Sequence, residues 1–259
     1  MRLETTASGL ILLKPNWDVP PHVQAFVSTR VGGVSDHYYD SLNLAVHVGD
    51  RLEHVQENRS RIQALLPNEP VWLNQVHGTQ IWTDDHPVLQ ADGAITSFDQ
   101  QVLAIMTADC LPILFCDSGG DILGVCHAGW RGLVQGVIAQ TINHMLESKK
   151  PDDSKKYLSE MTIYLGPCIG PGHFEVGTDV LEAFHQSGAL FMNDEFQNGT
   201  KPDKFYANLL KIAKNQFLQL GVDRVFTEGI CCFENKELFF SHRRDRQSGR
   251  FASFLWKSR

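Results

Sequence analysis

The feature that most constrains the fold is a pair of apolar runs near the middle of the chain. These runs are VLAIMTADCLPILFC (residues 102–116) and ILGVCHAGW (residues 122–130), and the short polar turn DSGGD joins them. Their apolar content is typical of buried strands. Apolar residues then recur at helical spacing in LVQGVIAQTINHML (residues 133–146), which predicts an amphipathic helix with one buried face. Together these segments predict a protein of the α/β class.

The other segments predict a mixed sheet rather than a regular doubly wound fold, because strands and helices do not follow a strict β-α-β rhythm. The polar stretch ESKKPDDSKK (147–156) is interpreted as an exposed connection. The clearest later patterns are a strand in MTIYLG (161–166), a helix in TDVLEAFHQS (178–187), a longer helix in KFYANLLKIAKNQFLQLG (204–221) that ends at Gly221, and strands in RVFTEG (224–229) and ELFFSH (237–242).

Composition narrows the class of protein. A chain of 259 residues with 42% hydrophobic and 20% charged residues is typical of globular proteins. No stretch approaches the length of a membrane span, and the apolar run at residues 10–13 is too short for a signal peptide, so we expect a cytoplasmic protein without a membrane partner. The net charge of −7 argues against nucleic acid as a partner. Six cysteines without regular spacing predict reduced thiols. Monomer and homodimer both stay open.

Three side chains of metal-ligand type occur where predicted strands meet turns. His127 lies at the end of the second apolar run, before Gly129 and Gly132. Cys110 lies inside the first run, and His77 follows the short run VWLNQV. Two imidazoles and one thiolate are the ligand set of a catalytic zinc with an open fourth position. Their separations of 33 and 17 residues match no zinc finger, so a structural role for each residue stays open.

Several motifs occur in the order typical of one bacterial family. They are QVHG, TADCLPIL, HAGWRGL, LGPCIGP with FEVG, and FFSHRRD with GRFAS. The sequence resembles the multifunctional purine nucleoside phosphorylases, once called polyphenol oxidases or YfiH-like proteins and related to the laccase domain-containing proteins of animals. The resemblance runs from about Ser28 to the C-terminus. The chain departs from the family pattern at His242, where tyrosine is usual, and at Asn208, where aspartate is usual.

The resemblance implies a single domain over residues 1–259 with four layers in the order α/β/β/α and mixed sheets. It places the family's metal ligands on His77, Cys110 and His127, with zinc as the expected cofactor and copper as an alternative. It implies phosphorolysis of adenosine, inosine and methylthioadenosine, together with adenosine deamination. A purine nucleoside and phosphate are therefore the expected partners. A copper-dependent oxidation of phenols is also attributed to the family.

Phosphorolysis requires an anion site, for which the sequence offers two groups of arginines. Arg30 in STRVGG is the preferred phosphate ligand and catalytic residue, because the adjacent glycines allow close approach. Arg243 and Arg244 in the basic segment SHRRDRQSGR (241–250) are further candidates, although a solvated turn is the alternative for that segment. Arg30 could instead pair with Asp36 or Asp50.

Other candidate contacts are weaker. Asn43 in SLNL could bind ribose or base, or it could cap a turn. Asp109 and Glu175 are candidates for the general acid or base of deamination, although a regular strand would turn Asp109 away from Cys110. Cys168 and His173, in LGPCIGPGHFEVG, could line the site or pack its turn.

Three functional hypotheses follow. The favoured one is a zinc-dependent purine nucleoside phosphorylase with adenosine deaminase activity. A copper-dependent polyphenol oxidase is the second, although a laccase needs more copper ligands than these motifs offer. The third is a metal-free cysteine hydrolase with Cys110 as nucleophile, His127 as base and His77 or Asp109 as the orienting residue. A non-enzymatic scaffold would leave the three-residue ligand set unexplained.

Overall fold

The first sheet brings the two ends of the chain together, because its C-terminal strand lies between an N-terminal strand and a central one. The computed structural model describes residues 2–188 and 195–258. With strands numbered along the chain, the spatial order of the first sheet is β1 (Arg2–Thr5), β2 (Ile11–Lys14), β3 (Val23–Ser28), β15 (Phe251–Lys257), β7 (Val102–Thr107) and β4 (Pro70–Trp72). Only the β4–β7 pair among these is parallel.

The second sheet carries the central apolar hairpin. Its spatial order is β14 (Arg224–Phe226), β10 (Thr162–Leu165), β8 (Leu111–Cys116), β9 (Leu123–Ala128), β6 (Gly93–Thr96) and β5 (Ile81–Trp82). Strands β8 and β9 are antiparallel, and their register pairs Pro112 with His127. The outer pairs β10–β14 and β5–β6 are parallel, so the sheet is mixed.

A small third sheet and the helices complete the described chain. The sheet is antiparallel, with the order β11 (Glu175–Gly177), β13 (Lys204–Ala207) and β12 (Phe196–Asn198). The α-helices are α1 (Leu52–Gln63), α2 (Trp130–Gln135), α3 (Val137–Lys149), α4 (Ser154–Glu160), α5 (Thr178–Gln186), α6 (Leu209–Gln219) and α7 (His242–Asp245). Short 3₁₀ turns cover His37–Tyr39 and Pro171–His173. None of the helices in residues 2–188 and 195–258 is both long and apolar enough to cross a membrane.

The apolar run at residues 102–116 crosses from one sheet to the other. Its first half is β7 in the first sheet and its second half is β8 in the second sheet. Asp109, in the link between them, has a φ of 91°, a conformation that side chains with a Cβ rarely adopt. Its carboxylate accepts hydrogen bonds from Ser241 Oγ (2.7 Å) and the Arg243 backbone N–H (2.6 Å), which hold the bend. Cys110 therefore sits at a sharp corner between two sheets.

One hydrophobic cluster contains side chains from both large sheets and from α3. Leu103 of β7 packs in the same cluster as Ile113 of β8 and Ile142 of α3. A second cluster lies around Phe26, Phe254 and the α1 residue Ile62. The prediction of an α/β protein with mixed sheets is confirmed. The stacking into four layers and the extent of one domain over residues 1–259 stay predictions.

Four local predictions need correction. The helix expected at 133–146 is divided at Gly136, whose φ of 84° separates α2 from α3. The polar stretch 147–156 contains the start of α4, which the Asp153 side chain caps. The segment 204–221 is β13 followed by α6, not one helix. ELFFSH is wrong as a strand, since adjacent Phe239 and Phe240 are both buried in a turn region and period-two alternation is absent from that described segment.

Candidate metal centre and active-site cavity

His77, Cys110 and His127 meet in space although the sequence separates them widely. One ligand atom from each lies within 4.8 Å of the other two. The Cys110 Sγ is 3.8 Å from the Nε2 of His77, and the two imidazole rings have centroids 4.7 Å apart. The structure thus places these three side chains together, and their role as metal ligands stays a prediction.

Strand pairing and one glycine produce this convergence. The register of β8 with β9 pairs Leu111 with Ala128, so Cys110 lies beside Gly129. A Cβ at Gly129 would lie 3.0 Å from Cys110 Sγ and 3.0 Å from a carbon of the His77 ring. Any side chain at this position would therefore crowd two of the three candidate ligands. Gly129 is therefore required for the close approach of these side chains.

A fully buried carboxylate, Asp92, organises both histidines. Its Oδ1 lies 2.8 Å from the Nδ1 of His127 and accepts the backbone N–H of His77 at 2.9 Å. Its Oδ2 accepts the backbone N–H groups of Val76 (3.0 Å) and Gly78 (2.7 Å). Burial raises the pKa of Asp92, but the hydrogen bonds from His127 and Gly78 outweigh burial and lower it. Asp92 is therefore ionised and fixes the Nδ1–H tautomer of His127. The lone pair of Nε2 is then free to bind a metal ion.

The electrostatics favour a thiolate beside an imidazolium when the three residues are considered alone. Burial raises the pKa of the Cys110 thiol, but the charges and hydrogen bonds of His127 and His77 outweigh burial and lower it. Burial lowers the pKa of His127, but the Cys110 thiolate and Asp92 outweigh burial and raise it. A deprotonated thiol is the form that binds metal ions.

This donor set fits a borderline transition metal. One thiolate and two imidazole nitrogens, one of them backed by a carboxylate, suit zinc and also accept copper. His77 is exposed and His127 is buried, so the ligand set has one side open to solvent. The residues can thus hold an ion and leave a position for water or substrate.

The three candidate ligands line a cavity of about 370 Å³ whose other walls are cationic and apolar. Guanidinium groups come from Arg131, Arg243 and Arg250, and apolar surface comes from Met106, Ile169 and Phe174. The remaining lining residues are polar or small: His47, Gln75, Thr107, Ala108, Asp109 and His242. A cavity with an ion site, an anion site and an apolar wall can hold a ligand that is part aromatic and part anionic.

The structure brings only one of the three predicted arginines into this cavity. Arg243 lines it, and its Nη1 donates to the carbonyls of His173 (3.3 Å) and Glu175 (2.9 Å). Arg30 and Arg244 line a different surface cavity of about 590 Å³. Arg30 Nε donates a hydrogen bond to the Asp40 carbonyl at 2.6 Å. Arg30 therefore bonds the backbone and does not pair with Asp36 or Asp50, the alternative partners considered above.

Arg30 and Arg244 are held by similar contacts. The Nη1 of Arg30 donates to the Lys236 carbonyl at 3.1 Å, and its guanidinium lies 4.7 Å from the centre of the Phe240 ring. The Nη1 of Arg244 donates to the carbonyls of Cys232 (3.0 Å) and Phe233 (2.9 Å). Both side chains therefore connect turns of the backbone.

The weaker sequence candidates also receive definite positions. Asn43 is fully buried. Its side-chain Nδ2 donates to the Ala45 carbonyl, and its Oδ1 accepts the backbone N–H groups of Ala45 and Arg250, which supports the turn-capping alternative. Glu175 accepts two hydrogen bonds from Thr200, at 2.9 and 2.7 Å. The Asp109 carboxylate bonds Ser241 and Arg243 as described above. Neither carboxylate is placed as a free acid or base.

The two departures from the family pattern differ in location. His242 lines the cavity, so replacement of the usual tyrosine changes the surface that a substrate meets. Asn208 caps α6, and its Oδ1 accepts the Lys211 backbone N–H at 3.1 Å. Asparagine and aspartate are both good caps, so that change is structurally conservative.

Sequence reasoning missed several residues of the site. Asp92 in ADGAI precedes a strand as many turn residues do, and nothing local shows that the backbone of residues 76–78 wraps around it. Arg131 belongs to the quoted stretch HAGWRG at the start of α2, where a strand-to-helix turn could have drawn attention to it. His47 carries no recognisable local signal.

Comparison with known proteins shows which family this chain resembles. A family model described as multi-copper polyphenol oxidoreductase laccase matches residues 24–258. The chain is 41% identical to "Purine nucleoside phosphorylase YfiH" of Escherichia coli strain K12 over 250 residues, which cover 95% of this chain and 98% of that protein. It is also 41% identical to "Purine nucleoside phosphorylase PA4543" of Pseudomonas aeruginosa over 245 residues, covering 94% and 97%.

Solved structures share the fold. The Neisseria meningitidis protein NMB0706 superposes with a TM-score of 0.84 at 38% identity, over 96% of this chain and 99% of that one. The Bacillus licheniformis hypothetical protein YfiH superposes with a TM-score of 0.87 at 25% identity, over 99% of both chains. The resemblance predicted from the motifs is confirmed. The chain therefore belongs to the multi-copper polyphenol oxidoreductase laccase family, together with the bacterial proteins named purine nucleoside phosphorylase YfiH.

Proposed function

We propose that the protein is a zinc-dependent purine nucleoside phosphorylase that accepts adenosine, inosine and methylthioadenosine and also deaminates adenosine. The observation that carries this proposal is the single cavity that unites His77, Cys110 and His127 with three guanidinium groups and an apolar wall. The names of relatives that are 41% identical support the reaction class. Zinc, the deamination and the range of nucleosides are our own assignments.

The cationic wall is suited to phosphate. Arg243 is oriented by two backbone carbonyls, and Arg131 extends from the first turn of α2. Arg250 Nη1 donates to the carbonyls of Ser248 (2.8 Å) and Gly249 (3.0 Å), which fixes its guanidinium beside the cavity. Guanidinium groups form paired hydrogen bonds with phosphate oxygens. We therefore assign phosphate binding to Arg131, Arg243 and Arg250.

The apolar wall is suited to the purine. Phe174, Ile169 and Met106 border the same cavity, and an aromatic ring offers a flat surface for a flat base. Burial, with smaller effects from Arg250 and Arg59, lowers the pKa of His47. His47 is therefore neutral at pH 7 and can exchange a proton with the nucleoside.

The chain's own residues prepare the ion site. Asp92 orients His127, and the bend at Asp109 aims Cys110 at the same point. When bound, zinc would supply a Lewis acid that polarises substrate or water for deamination. The arginines would bind and orient phosphate beside C1′ of the ribose for phosphorolysis, whereas deamination uses water at C6 of adenine and releases ammonia.

The test is to incubate zinc-loaded protein with adenosine, with and without phosphate, and to identify the products. With phosphate we expect adenine, ribose 1-phosphate and hypoxanthine, since inosine formed by deamination is itself split, whereas inosine should accumulate without phosphate. Protein stripped of metal should form none of them. Absence of phosphate-dependent base release with all three nucleosides would refute the phosphorylase assignment, and absence of inosine would refute the deaminase assignment.

Copper-dependent oxidation of phenols is the second candidate, favoured by the family description and by a donor set that binds copper. We expect phenol oxidation only after copper is added. Oxidation by protein that contains zinc alone would contradict this dependence on copper.

One observation also supports the metal-free cysteine hydrolase. His127 lies between Cys110 and Asp92, which is the order of a nucleophile, a base and an orienting carboxylate. Asp92 takes the orienting role that we expected of His77 or Asp109. A His77→Ala variant separates the hypotheses, since it removes a metal ligand and leaves that triad intact. Loss of activity together with loss of metal supports the metalloenzyme.

A further inference from the structure

A second group of metal-ligating side chains lies outside the site described above. His173, Cys231 and Glu234 each offer one ligand atom within 4.8 Å of the others. His173 ends a 3₁₀ turn, while Cys231 and Glu234 belong to a turn that begins just after β14. The residue types are imidazole, thiol and carboxylate, a set that suits zinc and related divalent ions. We call these three residues the second cluster.

The backbone around the second cluster is already fixed. The Gly170 N–H donates to Cys231 Sγ at 3.1 Å, and a Cβ at Gly170 would lie 3.0 Å from that sulfur. Asn235 Nδ2 donates to the Cys231 carbonyl at 2.8 Å and closes the other turn. Glycine is thus required for the close approach, and its N–H is directed at the sulfur.

The histidine is oriented toward the other two residues. Its ring stacks on Phe233 with centroids 4.1 Å apart and an angle of 14° between the planes. Its Nε2 is 3.0 Å from the carboxylate of Glu234. Cys231 is buried, whereas the Glu234 side chain is 62% exposed, so one side of the cluster is open to water.

We infer that His173, Cys231 and Glu234 form a second binding site for a divalent zinc-like cation, completed by water. Zinc bonds of about 2.0–2.3 Å place tetrahedral ligand atoms roughly 3.3–3.8 Å apart, so the cluster needs only a small contraction. The ion replaces the His173–Glu234 contact with two metal bonds and adds a bond to the buried sulfur. This site does not depend on the proposed function of the cavity.

The second cluster is attached to the wall of the cavity. The His173 carbonyl accepts a hydrogen bond from Arg243, and the next residue, Phe174, lines the cavity beside that arginine. An ion on the His173 ring therefore limits movement of the segment that carries Phe174. Binding at the second cluster braces the side of the cavity that we assign to phosphate and purine.

The test is metal stoichiometry with Zn²⁺ or Co²⁺ alone as the probe. Protein stripped with a chelator is titrated under buffered free metal, and bound ions are counted by elemental analysis while the thiolate–Co²⁺ absorption is recorded. We expect two ions per chain in the wild type and one in each of Cys110→Ser and Cys231→Ser. The two variants should lose different parts of the Co²⁺ spectrum.

Matched carboxylate variants keep the test valid if Cys231→Ser does not fold. Glu234→Gln alters an exposed side chain and should weaken the second Co²⁺ by about tenfold or more, because a neutral amide replaces an anionic ligand. Glu237→Gln changes a nearby exposed carboxylate outside the cluster and should bind as the wild type does. An ion count and a Co²⁺ affinity equal to those of the wild type in both Cys231→Ser and Glu234→Gln would overturn the inference, whatever the count at the cavity.

Discussion

Two neighbouring cavities of this protein are both lined by arginines, yet only one is arranged for chemistry. In the cavity that holds His77, Cys110 and His127, the guanidinium groups share the space with ion ligands and an apolar wall. In the outer cavity, Arg30 and Arg244 donate to backbone carbonyls of distant turns. Arg243 and Arg244 are adjacent in sequence and line different cavities. Guanidinium groups in both cavities donate to backbone carbonyls, so the comparison teaches that the other residues lining the cavity, and not the glycines beside an arginine, decide what its guanidinium can bind.

We expect the largest effect from removing one of the candidate metal ligands in the cavity. Cys110→Ser replaces a thiolate with a hydroxyl of nearly the same size, so shape is kept while the soft anionic ligand is lost. We expect kcat/KM for phosphorolysis to fall by about a thousandfold or more, because a Lewis acid is worth several kcal/mol. Steady-state kinetics with metal analysis checks this. Normal turnover with full metal content would exclude Cys110 as an essential ligand.

The next prediction concerns the buried carboxylate beneath that site. Asp92→Asn can keep an oxygen for the backbone N–H groups of Val76 and Gly78 but removes the charged oxygen that faces His127 and accepts the His77 N–H. Loss of such a supporting carboxylate lowers metal affinity by roughly 10–100-fold. Competition with a chromophoric chelator measures the change. Affinity equal to that of the wild type would mean that His127 needs no orienting partner.

The third prediction compares the two adjacent arginines directly. Arg243→Gln removes a charged donor from the cavity, and a charge-assisted hydrogen bond to phosphate is worth about 1.5–3 kcal/mol. Phosphorolysis should therefore lose roughly ten- to a hundredfold in kcat/KM, with the KM for phosphate affected and deamination largely retained. Arg244→Gln should instead lower the melting temperature, because carbonyls of residues 232, 233 and 239 lose their donor. Equal kinetic losses in both variants would remove the distinction between the cavities.

Much of the fold was predictable from local pattern. Long apolar runs and helical periodicity identified the central strands and the positions of α3 and α5, but not the break at Gly136 that separates α2 from α3. The crossing of residues 102–116 between the two sheets was not predictable. Both strands are buried on both faces, so the apolar pattern continues through the run and does not mark the bend at Asp109. Residues 237–242 failed for a related reason, since two adjacent buried phenylalanines mimic a strand while packing in a turn region.

The site was predictable only where residue type carried the chemistry. Cysteine and histidine at strand ends are few, so His77, Cys110 and His127 could be selected together. Asp92 and Arg30 depend on contacts with residues that are distant in sequence: Asp92 binds the backbone of residues 76–78, and Arg30 binds the carbonyl of Lys236. No local pattern reports where a side chain's partners lie. Electrostatic roles therefore required the three-dimensional structure.

The fourth prediction concerns the pH dependence of the reactivity of Cys110 in the metal-free protein. The lowered pKa of Cys110 and the raised pKa of His127 favour a thiolate–imidazolium pair. This pair stabilises the fold between those two pKa values; it is lost at lower pH as the thiolate gains a proton and at higher pH as the imidazolium loses one. Alkylation of Cys110, followed by mass spectrometry, should persist at pH values where an ordinary thiol has become unreactive. Asp92→Asn should move the profile upward, and a profile like that of a free cysteine would contradict the assignment.

The smallest expected effect belongs to Arg30, and it is the sharpest test of the comparison. Arg30→Lys keeps the charge but removes the planar fork that reaches the carbonyls of Asp40 and Lys236. Because those contacts lie in the outer cavity, we expect kcat/KM for phosphorolysis and for deamination to stay within about twofold of the wild type, a change worth less than 0.5 kcal/mol. The melting temperature should fall slightly, since a lysine cannot bridge both turns. A selective loss of phosphorolysis by tenfold or more, with deamination intact, would instead make Arg30 a phosphate ligand and would join the two cavities into one functional site.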